Sequence, residues 1–174
     1  EKMNEMKMNL KTQLESVNNK VISLDEVSFE LGLKADYGWA EKGKRCIIKE
    51  TNVRKRYSVI MALNEDKIFG YKIVSGGING ETFKKYIIEE ILTKIKEGEG
   101  ILIDNVSIHK YKGLMEYLKE KEIKNKIIYN IPYSPKYNPI EYVFNTIKTE
   151  YKQSNITTHK KLVNFLNKII KKLN

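Results

Sequence analysis

The chain has 174 residues, enough for one domain with its own hydrophobic core. Lysine and arginine outnumber aspartate and glutamate by 32 to 22, and the formal net charge of +10 favours a polyanionic partner. One cysteine excludes an internal disulfide and a thiolate zinc cluster, and two histidines are too few for a histidine-based metal site. Because no apolar run reaches the roughly 20 residues of a membrane span, we expect a soluble, intracellular protein without a membrane partner.

The first part of the chain predicts one helix and three strands. Residues 1–20 carry apolar side chains at helical spacing, and we interpret them as a helical lead-in, the remainder of a linker from an N-terminal module. Residues 21–25 predict a strand that ends at Asp25. Residues 57–63 and 68–74 flank a polar turn and predict an antiparallel hairpin, so the three strands should form a meander.

The later elements alternate between helix and strand. The sequence predicts a helix over 81–96, a strand over 101–104, a helix around 114–118, a strand over 126–131, a helix from the N-cap Asn138 and Pro139 to about 152, and a last helix from near Thr158. A meander followed by alternating elements indicates an α/β fold. We expect a mixed five-stranded sheet, antiparallel meander plus parallel strands, with helices on both faces.

Three carboxylates stand at positions where a charge needs compensation. Asp25 and Asp104 each end an apolar run, and a segment with all three prolines delivers Glu141 onto the first turn of a helix. Charges at the ends of buried strands cost free energy unless something neutralises them. Mg²⁺ prefers carboxylate oxygens, and phosphodiester chemistry uses paired divalent ions. The three acids therefore predict a divalent-metal site.

Each acid also has a structural explanation. Asp25 and Asp104 could make local turn hydrogen bonds. Glu141 is the third helical position after Asn138, so it could complete a capping box. Asn145 and Lys148 lie on the same helical flank as Glu141, which suits a phosphate-binding face and which capping does not require.

Basic residues concentrate in one segment. All three arginines fall there, with lysines between them: Lys42, Lys44, Arg45, Arg54 and Arg56. Because the planar guanidinium suits phosphate oxygens, this segment is our candidate for contacts to a nucleic-acid backbone; a solvated hairpin is the alternative.

Two polar residues follow the second acid. Asn105 and His109 could orient metal-bound water or contact nucleic acid, and a hydrogen bond within a loop or the core is the alternative for the histidine. We interpret Trp39 as a packing residue rather than as a platform for base stacking.

Four motifs carry a family resemblance. They are Leu24-Asp25-Glu26 with Phe29, Tyr37 to Arg45, Ile103-Asp104-Asn105 with His109-Lys110, and the proline-rich run Pro132 to Glu141. Over about residues 21–152 the chain resembles the catalytic domain of mariner-type DDE transposases and their bacterial insertion-sequence relatives.

The resemblance implies a ribonuclease-H-like DDE catalytic domain over 21–174. Asp25, Asp104 and Glu141 correspond to the family's metal-binding catalytic acids, which hold two Mg²⁺ ions, with Mn²⁺ as a substitute. Members of the family cut double-stranded DNA at transposon ends with water, and the freed 3′-hydroxyl attacks target DNA. We expect further DNA contacts at Lys136, Asn145 and Lys148, and a homodimer or larger assembly on DNA.

The helix-turn-helix module of the family is not part of these 174 residues. Two alternatives stay open: a catalytically silent, domesticated DNA-binding relative, and a ribonuclease-H-like nuclease that acts on another nucleic acid.

Overall fold

The computed structural model describes residues 2–31, 38–47, 55–123 and 126–174. Tyr37 and Arg54, which the sequence analysis singled out, lie outside these ranges. The helices and strands are α1 (Lys2–Glu15), β1 (Val21–Glu30), β2 (Arg56–Leu63), β3 (Ile68–Ser75), α2 (Gly80–Tyr86), β4 (Gly100–Ile103), α3 (Lys112–Glu120), β5 (Ile127–Tyr129), α4 (Ile140–Gln153) and α5 (His159–Leu173).

The strands form one sheet in the order β3-β2-β1-β4-β5. β1, β2 and β3 pair antiparallel as a meander, whereas β4 pairs parallel with β1 and β5 parallel with β4. The predicted mixed five-stranded sheet is confirmed.

β1 is longer than the sequence predicted. It continues to Glu30 because Val27 and Phe29 alternate into the core, and because β2 pairs with it along this whole second half. Asp25 therefore lies in the middle of a strand, opposite Met61, and the prediction that it ends the strand is wrong.

The helix after β3 is shorter than predicted. α2 ends at Tyr86 and passes into one π-helical turn, Ile87–Ile91, in which the Leu92 amide donates to the Ile87 carbonyl at 2.9 Å. Ile87 and Ile91 both stay fully buried through this wider turn. The predicted continuation to residue 96 is wrong.

Helices cover both faces of the sheet. On one face α4 and α5 pack on β1 and β2 through a core that includes Val27, Phe29, Val59, Met61, Ile140, Phe144, Ile147, Leu162 and Leu166. On the other face α2 and α3 pack on residues that include Leu24, Ile60, Ile101 and Ile103.

α1 packs onto the β4–β5 half of the sheet. Its Leu10 joins a small core with Leu102 and Ile128. α5 begins near Thr158, as predicted, and the Thr158 hydroxyl caps it by accepting from the Lys161 amide at 3.3 Å. Leu173, the last residue of the helix, is 38 % exposed. No described helix has both the length and the apolar character of a membrane span.

Candidate metal centre

Strand register brings the two aspartates together. β1 and β4 pair in parallel up to Leu24 and Ile103, so Asp25 and Asp104 are the next residues along two neighbouring strands. β4 ends at this level, whereas β1 continues, and Asp104 follows the strand end directly. Asn130 follows the last residue of β5 in the same way. The parallel half of the sheet thus lines up two acids and an amide along one edge.

The proline-rich turn brings in the third acid. A short 3₁₀ turn at Pro135–Tyr137 leads to α4, whose first turn carries Glu141. Ile140 and Phe144 are buried in the core and fix the rotation of this helix about its axis. One carboxylate oxygen each from Asp25, Asp104 and Glu141 lies within 4.8 Å of the other two. The convergence that the sequence analysis predicted is present.

Asp25 sits in an environment that opposes its negative charge. Its side chain is 7 % exposed. Burial, followed by the charge of Asp104, raises the pKa of Asp25 from 3.8 to about 7, although the Glu26 backbone amide donates to Asp25 Oδ1 at 2.8 Å and works in the other direction. A cation placed between the carboxylates would reverse both unfavourable effects.

Asn138 does not cap α4. Pro139 occupies the cap position without a side-chain hydrogen bond, and the fully buried Asn138 side chain turns toward the acids instead. Its Nδ2 group donates to Asp25 Oδ2 at 3.1 Å and to Asp104 Oδ1 at 3.5 Å. The predicted N-cap is wrong, and with it the capping-box explanation of Glu141 loses its partner.

His109 lies beneath the acids rather than on the surface. Its Nδ1–H group donates to the Asp104 backbone carbonyl at 2.8 Å, its Nε2 lies 2.8 Å from the Glu26 carboxylate, and its ring stacks on Phe83 with centroids 4.4 Å apart. Burial alone would lower the pKa of His109, but the hydrogen bond and charge of Glu26 outweigh it and raise the pKa. The ring is 1 % exposed, so the predicted contact between His109 and DNA is wrong.

Asp25, Glu26 and His109 form a second close group of candidate ligand atoms, all within 4.8 Å. Both ring nitrogens of His109 already have hydrogen-bond partners. Nδ1 contacts the Asp104 carbonyl, which can only accept, and Nε2 contacts the Glu26 carboxylate. Because Nδ1 must donate, an Nε2–H facing Glu26 corresponds to an imidazolium. Glu26 and His109 therefore pair with each other and hold the Asp104 backbone, which leaves the three acids as the candidate ligand group.

The other predicted contact residues lie on the surface or close to it. Asn105 is half-buried, and Arg56 donates to Ser28 Oγ at 2.9 and 3.1 Å while remaining exposed. The exposed group also includes Lys42, Lys44, Arg45, Lys136, Asn145 and Lys148. Trp39 is fully exposed, so the prediction that it packs is wrong.

Neither Asn130 nor the pairing of Glu26 was predicted from the sequence. Asn130 is 2 % exposed, and its Nδ2 donates to Asp104 Oδ1 at 3.3 Å. The signal was available, because Asn130 follows a short apolar strand as Asp104 does. The Glu26–His109 contact joins residues 83 positions apart and has no local signal.

Comparisons with known proteins identify a family and a similar fold. The family model described as DDE superfamily endonuclease matches residues 20–163. The strand transfer complex of Mos1 superposes with a TM-score of 0.74 and 13 % identity over 96 % of this chain and 52 % of that chain. The Mos1 mariner paired-end complex with Mn superposes with a TM-score of 0.73 and 14 % identity, over 96 % of this chain and 53 % of that chain. The catalytic domain of Mos1 mariner transposase superposes with a TM-score of 0.69 and 12 % identity, over 97 % of this chain and 80 % of that chain.

This chain spans about half the length of the proteins in the first two structures. A comparison with curated protein sequences gave no match. Identities this low show a shared fold alone, and the family match rests on sequence over most of the chain. The chain belongs to the DDE superfamily endonuclease family and has the fold of the mariner transposase catalytic domain.

Proposed function

We propose that this chain is the catalytic domain of a DNA transposase, which cleaves DNA strands and joins them to new sites with divalent metal ions. The observation that carries the proposal is the meeting of Asp25, Asp104 and Glu141 within 4.8 Å, on three separate elements of a DDE endonuclease fold. Mos1 structures with Mn and with Mg support the same choice of ions, Mg²⁺ with Mn²⁺ as a substitute.

The residues present fit a pair of hard cations. The three acids supply oxygen donors only, the ligand type that Mg²⁺ and Mn²⁺ prefer. The burial of Asp25 and its repulsion from Asp104 leave a site that positive charge would stabilise. By the family resemblance Asp25, Asp104 and Glu141 would together hold the ions. The ions would activate the attacking oxygen and stabilise the leaving one.

The overall reaction has two displacements at phosphorus. In the first, a water oxygen bonds to phosphorus while the bond to the 3′-oxygen breaks, which leaves a 3′-hydroxyl and a 5′-phosphate. In the second, that hydroxyl attacks a phosphodiester of target DNA and displaces another 3′-oxygen. The chain's own contribution is to hold the three carboxylates in place through β1, β4 and α4, with His109 and Asn138 fixing the aspartates.

A polar stripe on α4 leads away from the acids and suits a DNA backbone. Glu141, Asn145 and Lys148 follow at four- and three-residue spacing on one flank, and Asn145 and Lys148 are exposed. Lys136 precedes the helix and is also exposed. We propose that these groups contact phosphates beside the cleaved bond.

The basic segment supplies a second group of proposed contacts. Lys42, Lys44, Arg45 and Arg56 are all exposed, and Lys44 pairs with Glu41 at the surface. We further propose that two copies act together, since two DNA ends need two sites; the Mos1 paired-end complex supports such an assembly.

Purified protein should nick supercoiled plasmid DNA in Mn²⁺ or Mg²⁺ and should not do so in EDTA. Calorimetry should show Mn²⁺ binding to the folded chain. An RNA–DNA hybrid as competitor substrate tests the nuclease alternative, because preferential cleavage of the RNA strand would contradict a transposase. A folded chain that binds no Mn²⁺ and cuts nothing would support the catalytically silent relative.

Lys148→Ala should weaken DNA binding and make it less sensitive to salt. If Lys148 neutralises one phosphate, the slope of log affinity against log salt should decrease in magnitude by about 0.9. Fluorescence anisotropy with a labelled duplex at several salt concentrations measures this slope. Lys119→Ala, an exposed lysine on α3 across the sheet, is the matched control and should leave the slope unchanged. The same slope for both variants would remove Lys148 from the interface.

A further inference from the structure

Two buried asparagines stand against the acids and use their amide groups differently. Asn130 is 2 % exposed and Asn138 is fully buried. Both direct Nδ2 at Asp104 Oδ1, at 3.3 and 3.5 Å. Each donor brings a partial positive charge to a carboxylate that has a second carboxylate beside it.

Asn130 is held by the backbone on both sides of its amide. Its Oδ1 accepts from the Ile131 backbone amide at 2.8 Å, and its Nδ2 also donates to the Ser134 carbonyl at 3.1 Å. These backbone contacts therefore fix the Asn130 side chain with or without the acid, and they connect it to the proline-rich turn as well as to Asp104.

Among the described residues, the two aspartates are the only hydrogen-bond partners of the Asn138 side chain. Its Nδ2 bridges Asp25 Oδ2 and Asp104 Oδ1, whereas its Oδ1 is buried and has no hydrogen-bond partner among the described residues. A buried amide oxygen without a partner costs free energy. The opposite orientation would place that oxygen against two carboxylates, so the charge of the acids sets the orientation seen.

We propose that the Asn138 amide is a placeholder for a cation. The amide bridges Asp25 and Asp104 and holds the acidic site together until metal binds. This inference rests on the proposed metal-dependent function. In this view Asn138 is a positioning residue. A bound cation takes over the neutralising role of the amide, so the amide matters most when metal is absent.

The test compares the thermal midpoint of unfolding in EDTA with that in saturating Mn²⁺. Asn138→Ala should lower the midpoint in EDTA by roughly 4–10 °C, the range for losing a hydrogen bond to a charged group in a domain of this size. In Mn²⁺ the decrease should be less than half as large, so the variant should gain more from metal than the wild type does. Asn138→Asp keeps the shape and adds a negative charge, and should show the same pattern more strongly.

Asn174→Ala is the matched control. Asn174 also uses both ends of its amide, at 2.9 Å to the Ile68 backbone, but it lies at the end of α5 and contacts none of the acids. Its loss should lower the midpoint equally in EDTA and in Mn²⁺, as for any structural asparagine.

The outcomes separate the two proposals. If the wild type gains nothing from Mn²⁺, the proposed metal-dependent function fails. If the wild type gains and the Asn138 variants gain no more than it does, metal binding stands and the placeholder is overturned. Failure of both variants to fold even in Mn²⁺ would also overturn it, because metal should restore what the amide provided.

Discussion

Asp104→Asn should abolish DNA cleavage while leaving the domain folded. The substitution removes one negative charge from the proposed ion site but keeps the shape of the side chain. Asparagine also keeps an oxygen that can accept from Asn130 and Asn138, which contact Asp104 Oδ1 at 3.3 and 3.5 Å. Because charge stabilisation at the reacting phosphate is the main catalytic contribution of such sites, we expect a loss of about 10²–10³-fold or more.

The rate of plasmid nicking in Mn²⁺ measures this effect, and circular dichroism reports the fold. Asp66→Asn is the matched control, since it makes the same chemical change on the exposed β2–β3 turn. It should nick at the wild-type rate. Glu141→Gln should match the loss in Asp104→Asn. Wild-type nicking by Asp104→Asn would show that this acid is not part of a catalytic site.

The position of the aspartates was predictable because each follows a short apolar run that forms a strand of the parallel pair. Ile101–Ile103 is a short apolar run with an acid directly after it, and the same pattern precedes Asp25. The register between β1 and β4 then brings the two acids together without any further information. The second half of β1 was missed because Glu26 and Ser28 interrupt the apolar pattern, although alternation is what a strand with one buried face requires.

The partners of the acids were not predictable from local sequence. An asparagine before a proline at a helix start is a good N-cap by local rules, and only the charges of Asp25 and Asp104 draw the Asn138 side chain elsewhere. For His109, likewise, the sequence indicated a candidate residue but not its role. Its contact with Glu26 depends on how the 3₁₀ turn after β4 packs beneath β1, which is a long-range property of the fold.

Asp25→Asn should make the metal-free domain more stable than the wild type near pH 8. Burial and the charge of Asp104 raise the pKa of Asp25 from 3.8 to about 7, so its ionised form is unfavourable in the folded state. A rise of this size corresponds to about 4 kcal/mol of stability that the wild type loses when Asp25 ionises. Asparagine is neutral and fits the same space, and its Oδ1 can accept from the Glu26 amide. Its Nδ2 then faces the Asn138 amide, which can turn so that its unpartnered Oδ1 accepts from this new donor.

The pH dependence of this stability difference follows from the number of protons bound in the folded and unfolded states. Between pH 3.8 and about 7 the unfolded chain has released the Asp25 proton while the folded chain retains it, so the stability of the wild type falls as pH rises. Above about pH 7 both states are ionised and the loss is complete. The advantage of Asp25→Asn should therefore be largest near pH 8 and should disappear near pH 4. Urea unfolding in EDTA at these pH values measures it, with Asp66→Asn as the control.

Metal should cancel this advantage of Asp25→Asn, which would connect the unfavourable charge of Asp25 to metal binding. A ligand that binds only the folded state at 1,000 times its Kd adds about 4.1 kcal/mol. The wild type should gain this amount in Mn²⁺ near pH 8 and Asp25→Asn should not, which would cancel the advantage of the variant. A variant less stable than the wild type in EDTA, or one that gains as much from Mn²⁺, would contradict the account. The instability of Asp25 without metal and the affinity of the site for metal would then be unrelated, whereas we expect both to arise from the same buried charge.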